Sequence, residues 1–128
     1  MKQVIQTDTA PAAIGPYSQA VKVASGSFVF CSGQIPLNPA TMEVIGNNAA
    51  EQCEQVMKNI GAVLAAAGLD YGDVVKTTIF LNDMADFAAI NEVYGRYFVD
   101  KQPARSTIQV ERLPLDAMLE IEVIAIEK

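Results

Sequence analysis

The chain has 128 residues, 51% hydrophobic and 19% charged, and a net charge of −6. Its length fits a single domain over 1–128 that buries roughly two-thirds of its unfolded surface, and its apolar content excludes a disordered chain. The nine lysines and arginines are scattered, so no basic stripe exists to neutralise phosphates and nucleic acid is not expected as a ligand.

The start, Met1 to Asp8, has no apolar core of signal-peptide length, and no run approaches a membrane span. A soluble, cytoplasmic protein without membrane contact is expected. Gln3 to Gln6 reads as a first strand. Pro11, Gly15 and Pro16 punctuate a loop, after which Tyr17 to Val23 and Phe28 to Ser32 read as strands turned around Ala24–Ser27. Gly33 to Gly46, with Pro36 and Pro39, is a long loop and a candidate site wall.

From Ala49 the period becomes helical, with Cys53, Val56, Ile60, Val63, Leu64 and Ala67 on one face. Gly68 ends the helix and Leu69 follows as the apolar residue after a glycine cap. Val74 to Leu81 predicts a strand. Asp83 and Asp86 mark the start of a second helix with Phe87, Ile90, Tyr94 and Phe98 as its stripe. Beyond Pro103, strands are predicted at Ser106–Glu111 and Met118–Glu127, which puts Arg105 at the mouth of a strand. Proline fixes its own backbone and stiffens the approach to Arg105, so this guanidinium is a place to grip an anion.

Two helices cover one face of such a sheet, yet its strands carry apolar residues on both. The second face calls for another copy of the chain. The sequence contains no histidine, which excludes imidazole mechanisms. Cys31 and Cys53 lie far apart without a CxxC pair and read as reduced, mostly buried thiols rather than metal ligands or nucleophiles.

Gly15-Pro16-Tyr17-Ser18-Gln19-Ala20, Ser32-Gly33-Gln34-Ile35-Pro36, Pro103-Ala104-Arg105-Ser106 and Glu120-Ile121-Glu122 stand in order along the chain. Asp73-Val74-Val75-Lys76 and Asp86 to Asn91 join them. Together they resemble the RidA family of enamine/imine deaminases within the YjgF-like superfamily. The resemblance implies an α+β, chorismate-mutase-like (YjgF-like) two-layer domain of about six strands with two helices on one face. It further implies a homotrimer around a central barrel, with ligand sites between subunits and no cofactor or metal.

The implied activity converts 2-imino and 2-enamino acids released by pyridoxal-phosphate enzymes into 2-keto acids and ammonia. The resemblance assigns the substrate carboxylate to Arg105, the orientation of water to Glu120, and pocket hydrogen bonding to Tyr17. Ser32 and Gly33 match a segment that meets the substrate. Phe87 and Asn91 match positions near the pocket. Thr107 stands where many relatives carry cysteine, which argues against a thiol mechanism, while its backbone amide can still bind a carboxylate oxygen. The hairpin at Ser25-Gly26 and the compact Val99–Gln102 loop also depart from the pattern and bear on pocket size.

Taken without the resemblance, Arg105 is a surface ion-pair residue, Glu120 a solvated strand residue and Tyr17 an amphipathic strand edge. Two other function classes use the same features: a keto-acid sensor or binding module, and a translation inhibitor or chaperone-like protein. Acidity and the lack of histidine count against ribonuclease chemistry.

Overall fold

A computed structural model describes residues 2–128. The strands are β1 (Lys2–Ile5), β2 (Ala20–Val23), β3 (Ser27–Gln34), β4 (Val74–Leu81), β5 (Ala104–Gln109) and β6 (Leu119–Glu127). The helices are α1 (Ala49–Ala66) and α2 (Phe87–Tyr97). β3, β6, β4 and β5 form one sheet in that order, with β4 parallel to β5 and the other pairs antiparallel. β1 and β2 form a separate antiparallel pair, tied to the β5 edge by a bridge between Ser18 and Ala104.

Local chemistry sets α1. The Asn48 side chain accepts from the Glu51 amide at 2.9 Å, and Glu51 in turn accepts from the Asn47 amide, so both ends of the first turn are satisfied. At the other end Gly68 takes φ +76°, a left-handed conformation that costs glycine little, and the Leu69 amide returns to the Leu64 carbonyl. Cys53, Val56, Met57, Ile60 and Leu64 are buried against the sheet. Val63 departs from the expected stripe: it lies at the margin, half out of the core, in a recess with Met42 and Leu37.

α2 packs beside α1 on the same sheet face and buries Ile90, Val93 and Tyr94. These meet Ile79 and Leu81 of β4 and Leu119, Ile121 and Val123 of β6. The opposite sheet face has no helix. There Phe28 and Phe30 of β3 and Ile108 of β5 stand exposed. Among the described residues, no helix is long and apolar enough to cross a membrane.

Several boundaries differ from the sequence reading. Tyr17, Ser18 and Gln19 lie outside β2, because the Gln19 side chain takes the Thr7 amide and carbonyl that a continued β1–β2 ladder would otherwise use. Asp83 caps a separate 3₁₀ turn at Met84–Asp86 by accepting from the Ala85 amide, and α2 starts only at Phe87. β5 starts at Ala104, so Arg105 is the strand's second residue rather than a residue at its mouth.

Candidate active site

Arg105 is placed by its strand partner. In the parallel β4–β5 register it lies opposite Thr77, whose hydroxyl bonds the Tyr94 hydroxyl of α2 at 2.8 Å. Both side chains therefore point to the helix-covered face. The guanidinium Nη1 donates to Asn91 Oδ1 at 2.7 Å. The rings of Tyr94, Tyr17 and Phe87 lie 5.0, 5.3 and 5.5 Å from its central carbon, within cation–π range.

Among the described residues its charge has no counter-ion. The ion pairs among the described residues join Arg96 to Glu54 and Glu92, and Arg112 to Asp116. Burial pulls the Arg105 pKa below its ordinary value, opposed by Tyr94 and Tyr17, but a guanidinium stays protonated near neutrality. Asn91 occupies one of five N–H donors. A half-buried cation in an acidic protein thus keeps most of its donors for something else.

That something fits a cleft of about 280 Å³ walled by Gly15, Tyr17, Phe87, Asn91 and Thr107, with Ile14 at the rim. The Tyr17 hydroxyl accepts from the Ile14 amide at 3.3 Å, leaving its own proton to donate. Thr107 Oγ1 is buried without a hydrogen-bond partner among the described residues, a condition that costs about 1–3 kcal/mol until a partner arrives. Guanidinium and phenol can both donate into one small space, with the buried Thr107 hydroxyl in its wall. The arrangement suits an anion with a second acceptor nearby. Gly15 completes it, since a Cβ there would stand 3.4 Å from Arg105 Nη2.

Tyr94 is the residue that sequence reasoning assigned to the core alone. It is fully buried, yet its ring backs the guanidinium, and burial pushes its hydroxyl pKa up to about 12. The available signal was spacing: Phe87, Asn91 and Tyr94 fall at i, i+4 and i+7 on one helical face.

Arg105, Tyr17, Phe87, Asn91 and Thr107 are brought together; Ser32, Gly33 and Glu120 are not. Glu120 lies opposite Phe80 on β4, three residues from Thr77, and alternation turns it to the bare face. β4 also separates β6 from β5. The cleft expected to hold Arg105 and Glu120 is therefore not formed within one chain. A register shift between Cys31 and Gln34 instead brings Gly33 against Glu120, where any side chain at 33 would overlap the carboxylate. Ser32, exposed, adjoins them.

The family model described as Endoribonuclease L-PSP matches residues 7–127. The protein DfrA of Myxococcus xanthus is 56% identical over 125 residues, covering 98% of this chain and 95% of its own length. The mouse 2-iminobutanoate/2-iminopropanoate deaminase is 46% identical over 127 residues, covering 99% and 93%. The crystal structure of RidA from an Antarctic Psychrobacter superposes with a TM-score of 0.76 at 47% identity, covering 98% of this chain and 99% of that one.

Proposed function

The chain belongs to the RidA family of the YjgF-like superfamily, and from that premise we propose that it is a cofactor-independent deaminase of 2-imino and 2-enamino acids. The observation that carries this reading is the half-buried, uncompensated Arg105 facing donors in a cleft of about 280 Å³. A bidentate carboxylate matches the guanidinium fork. Tyr17 donates to a remaining acceptor of the same ligand, and the Thr107 backbone amide is assigned to another. Asn91 and Phe87 hold the clamp.

The enamine is first protonated at carbon and loses a proton from nitrogen, which gives the imine. Water then adds to the C=N carbon while the nitrogen takes a proton, and the carbinolamine expels ammonia to leave the keto acid. This needs a placed water and a proton acceptor more than a strong nucleophile. Glu120 is the acceptor we assign, with Ser32 and Gly33 beside it. Because these lie on the bare face, a neighbouring copy must supply them to the Arg105 cleft. The proposed assembly is the homotrimer, closed over the exposed Phe28, Phe30 and Ile108.

One observation favours a second reading. The Arg105 cleft of a single chain contains no carboxylate, so a chain that binds keto acid without turnover would act as a sensor. A serine or threonine dehydratase releasing its enamine in the presence of this protein decides between them. Faster appearance of pyruvate or 2-oxobutanoate supports the deaminase; an unchanged rate beside calorimetric binding of the keto acid supports the sensor.

A further inference from the structure

The Ser18-Gln19 pair of the Gly15–Ala20 motif takes no part in the chemistry above, yet it makes unusual contacts. Residues 7–13 are exposed and belong to no helix or strand. Among the described residues, every hydrogen bond from this segment to the rest of the chain runs to one side chain. Gln19 Oε1 accepts from the Thr7 amide at 2.7 Å. Its Nε2 donates to the carbonyls of Thr7, Ala10 and Pro11 at 3.1, 3.4 and 2.6 Å.

The next residues wall the cleft. Ile14, Gly15 and Tyr17 face Arg105, while Gly15 and Tyr17 with Ala12 and Ala13 also line a second hollow behind them. The wall is thus a thin strap between two spaces. Its far end is fixed by Ser18, whose amide bonds the Pro103 carbonyl and whose hydroxyl bonds that of Gln102. Its near end depends on Gln19.

We propose that Gln19 is a positioning residue for the anion cleft, pinning the 7–13 segment so that Ile14, Gly15 and Tyr17 are held over the guanidinium before ligand arrives. A pre-ordered wall spares the ligand the ordering of those side chains on binding. The polarity of the pin is specific: one acceptor and a donating NH₂ group serve one amide and three carbonyls. Gln19→Glu keeps the acceptor and turns a carboxylate toward the three carbonyls, whereas Gln19→Ala removes everything. A role in packing alone would rank the alanine variant worse. The pin as described ranks glutamate equal or worse.

The choice of probe rests on the deaminase reading, so the test has a ligand-free arm. Amide hydrogen exchange at Ile14 and Tyr17 is expected to quicken by about tenfold in both variants without ligand, since local opening loses its restraint. In calorimetry with 2-oxobutanoate, Kd is expected to rise roughly three- to tenfold, with KM moving more than kcat in the coupled assay. Unchanged exchange in both variants overturns the proposal, as does quickened exchange with Kd unaltered. Failure of the wild-type protein to bind 2-oxobutanoate counts against the deaminase reading instead, and the exchange data alone then decide the role of Gln19.

Discussion

The sheet face under α1 and α2 closes its own core, whereas the opposite face leaves Phe30 75% and Phe28 57% exposed. Polar groups divide the same way. The covered side holds a cation with its rings, its amide and its donors arranged in one chain. The bare side holds the Glu120 carboxylate, pressed to Gly33 and in none of the ion pairs among the described residues. On the proposed function, ligand capture is local to a chain, while the assigned proton acceptor sits on the surface that a second chain would cover. Capture and turnover become separable by mutation.

The sharpest break is at the anchor. Arg105→Ala should lower kcat/KM more than about a hundredfold, because two charge-assisted hydrogen bonds of about 1.5–3 kcal/mol each are lost. Arg105→Lys should recover little, since it keeps the charge without the fork. Full activity in the alanine variant, read in the dehydratase-coupled assay, would end the deaminase reading. Glu120→Gln, on the other face, should cost about a hundredfold in turnover while calorimetric binding of 2-oxobutanoate persists. Equal loss of both would erase the division drawn above.

Phe30→Lys tests the bare face itself. Burial of one phenylalanine contributes about 1.5–3 kcal/mol, so each contact should weaken by about tenfold or more and light scattering should detect monomer. The variant's thermal stability as a monomer should hold, because Phe30 is already exposed in the folded chain. A persistent trimer with normal turnover would place the subunit contact elsewhere.

A smaller effect concerns alkali. Burial pushes the Cys53 thiol from 9.0 and the Tyr94 hydroxyl from 10.0 up to about 12. The folded chain then holds protons that the unfolded chain has released, so stability is full below about pH 9 and declines toward pH 12. Urea midpoints should fall across that window, and less steeply in Tyr94→Phe. A flat profile would contradict the burial of both groups. Least of all should change in Cys31→Ser/Cys53→Ser, whose turnover per folded trimer should match the wild type. Loss of turnover with the trimer intact would bring a thiol mechanism back.

What the sequence made legible follows from where its information is local. The period of Cys53, Val56, Ile60 and Leu64, closed by Gly68, located α1, and Val74–Leu81 matches β4 at both ends. The alternation of β6 was also readable, with Leu119 and Ile121 on one side and Glu120 and Glu122 on the other. What alternation cannot supply is strand order. Nor does it supply register: Arg105 pairs with Thr77 and Glu120 with Phe80 on the intervening β4, and that odd offset turns the two side chains to opposite faces. Similarly, Tyr17 to Gln19 look like strand in isolation, but Ser18 bonds Gln102 and Pro103 across the fold while the Gln19 side chain takes up the Thr7 backbone groups. Arg105 reads from the sequence as a guanidinium in a stiff setting, placed to grip an anion; the structure adds that Pro103 precedes a strand starting at Ala104 and that, among the described residues, Arg105 joins none of the ion pairs.

The bond between Ser18 and the Gln102 carbonyl spans 84 positions of sequence, and that distance has a consequence for how the molecule is made. Closing so long a loop carries an entropy cost that only late, non-local contacts repay. A nascent chain that ends before Gln102 lacks Arg105 and β6, which joins β3 to β4, so it has no anion grip. On the proposed function, affinity for a small carboxylate is acquired only when synthesis is nearly complete. A ligand that binds there draws the folding equilibrium forward by mass action, so substrate supply and survival of newly made chains against proteolysis become linked through the same few residues.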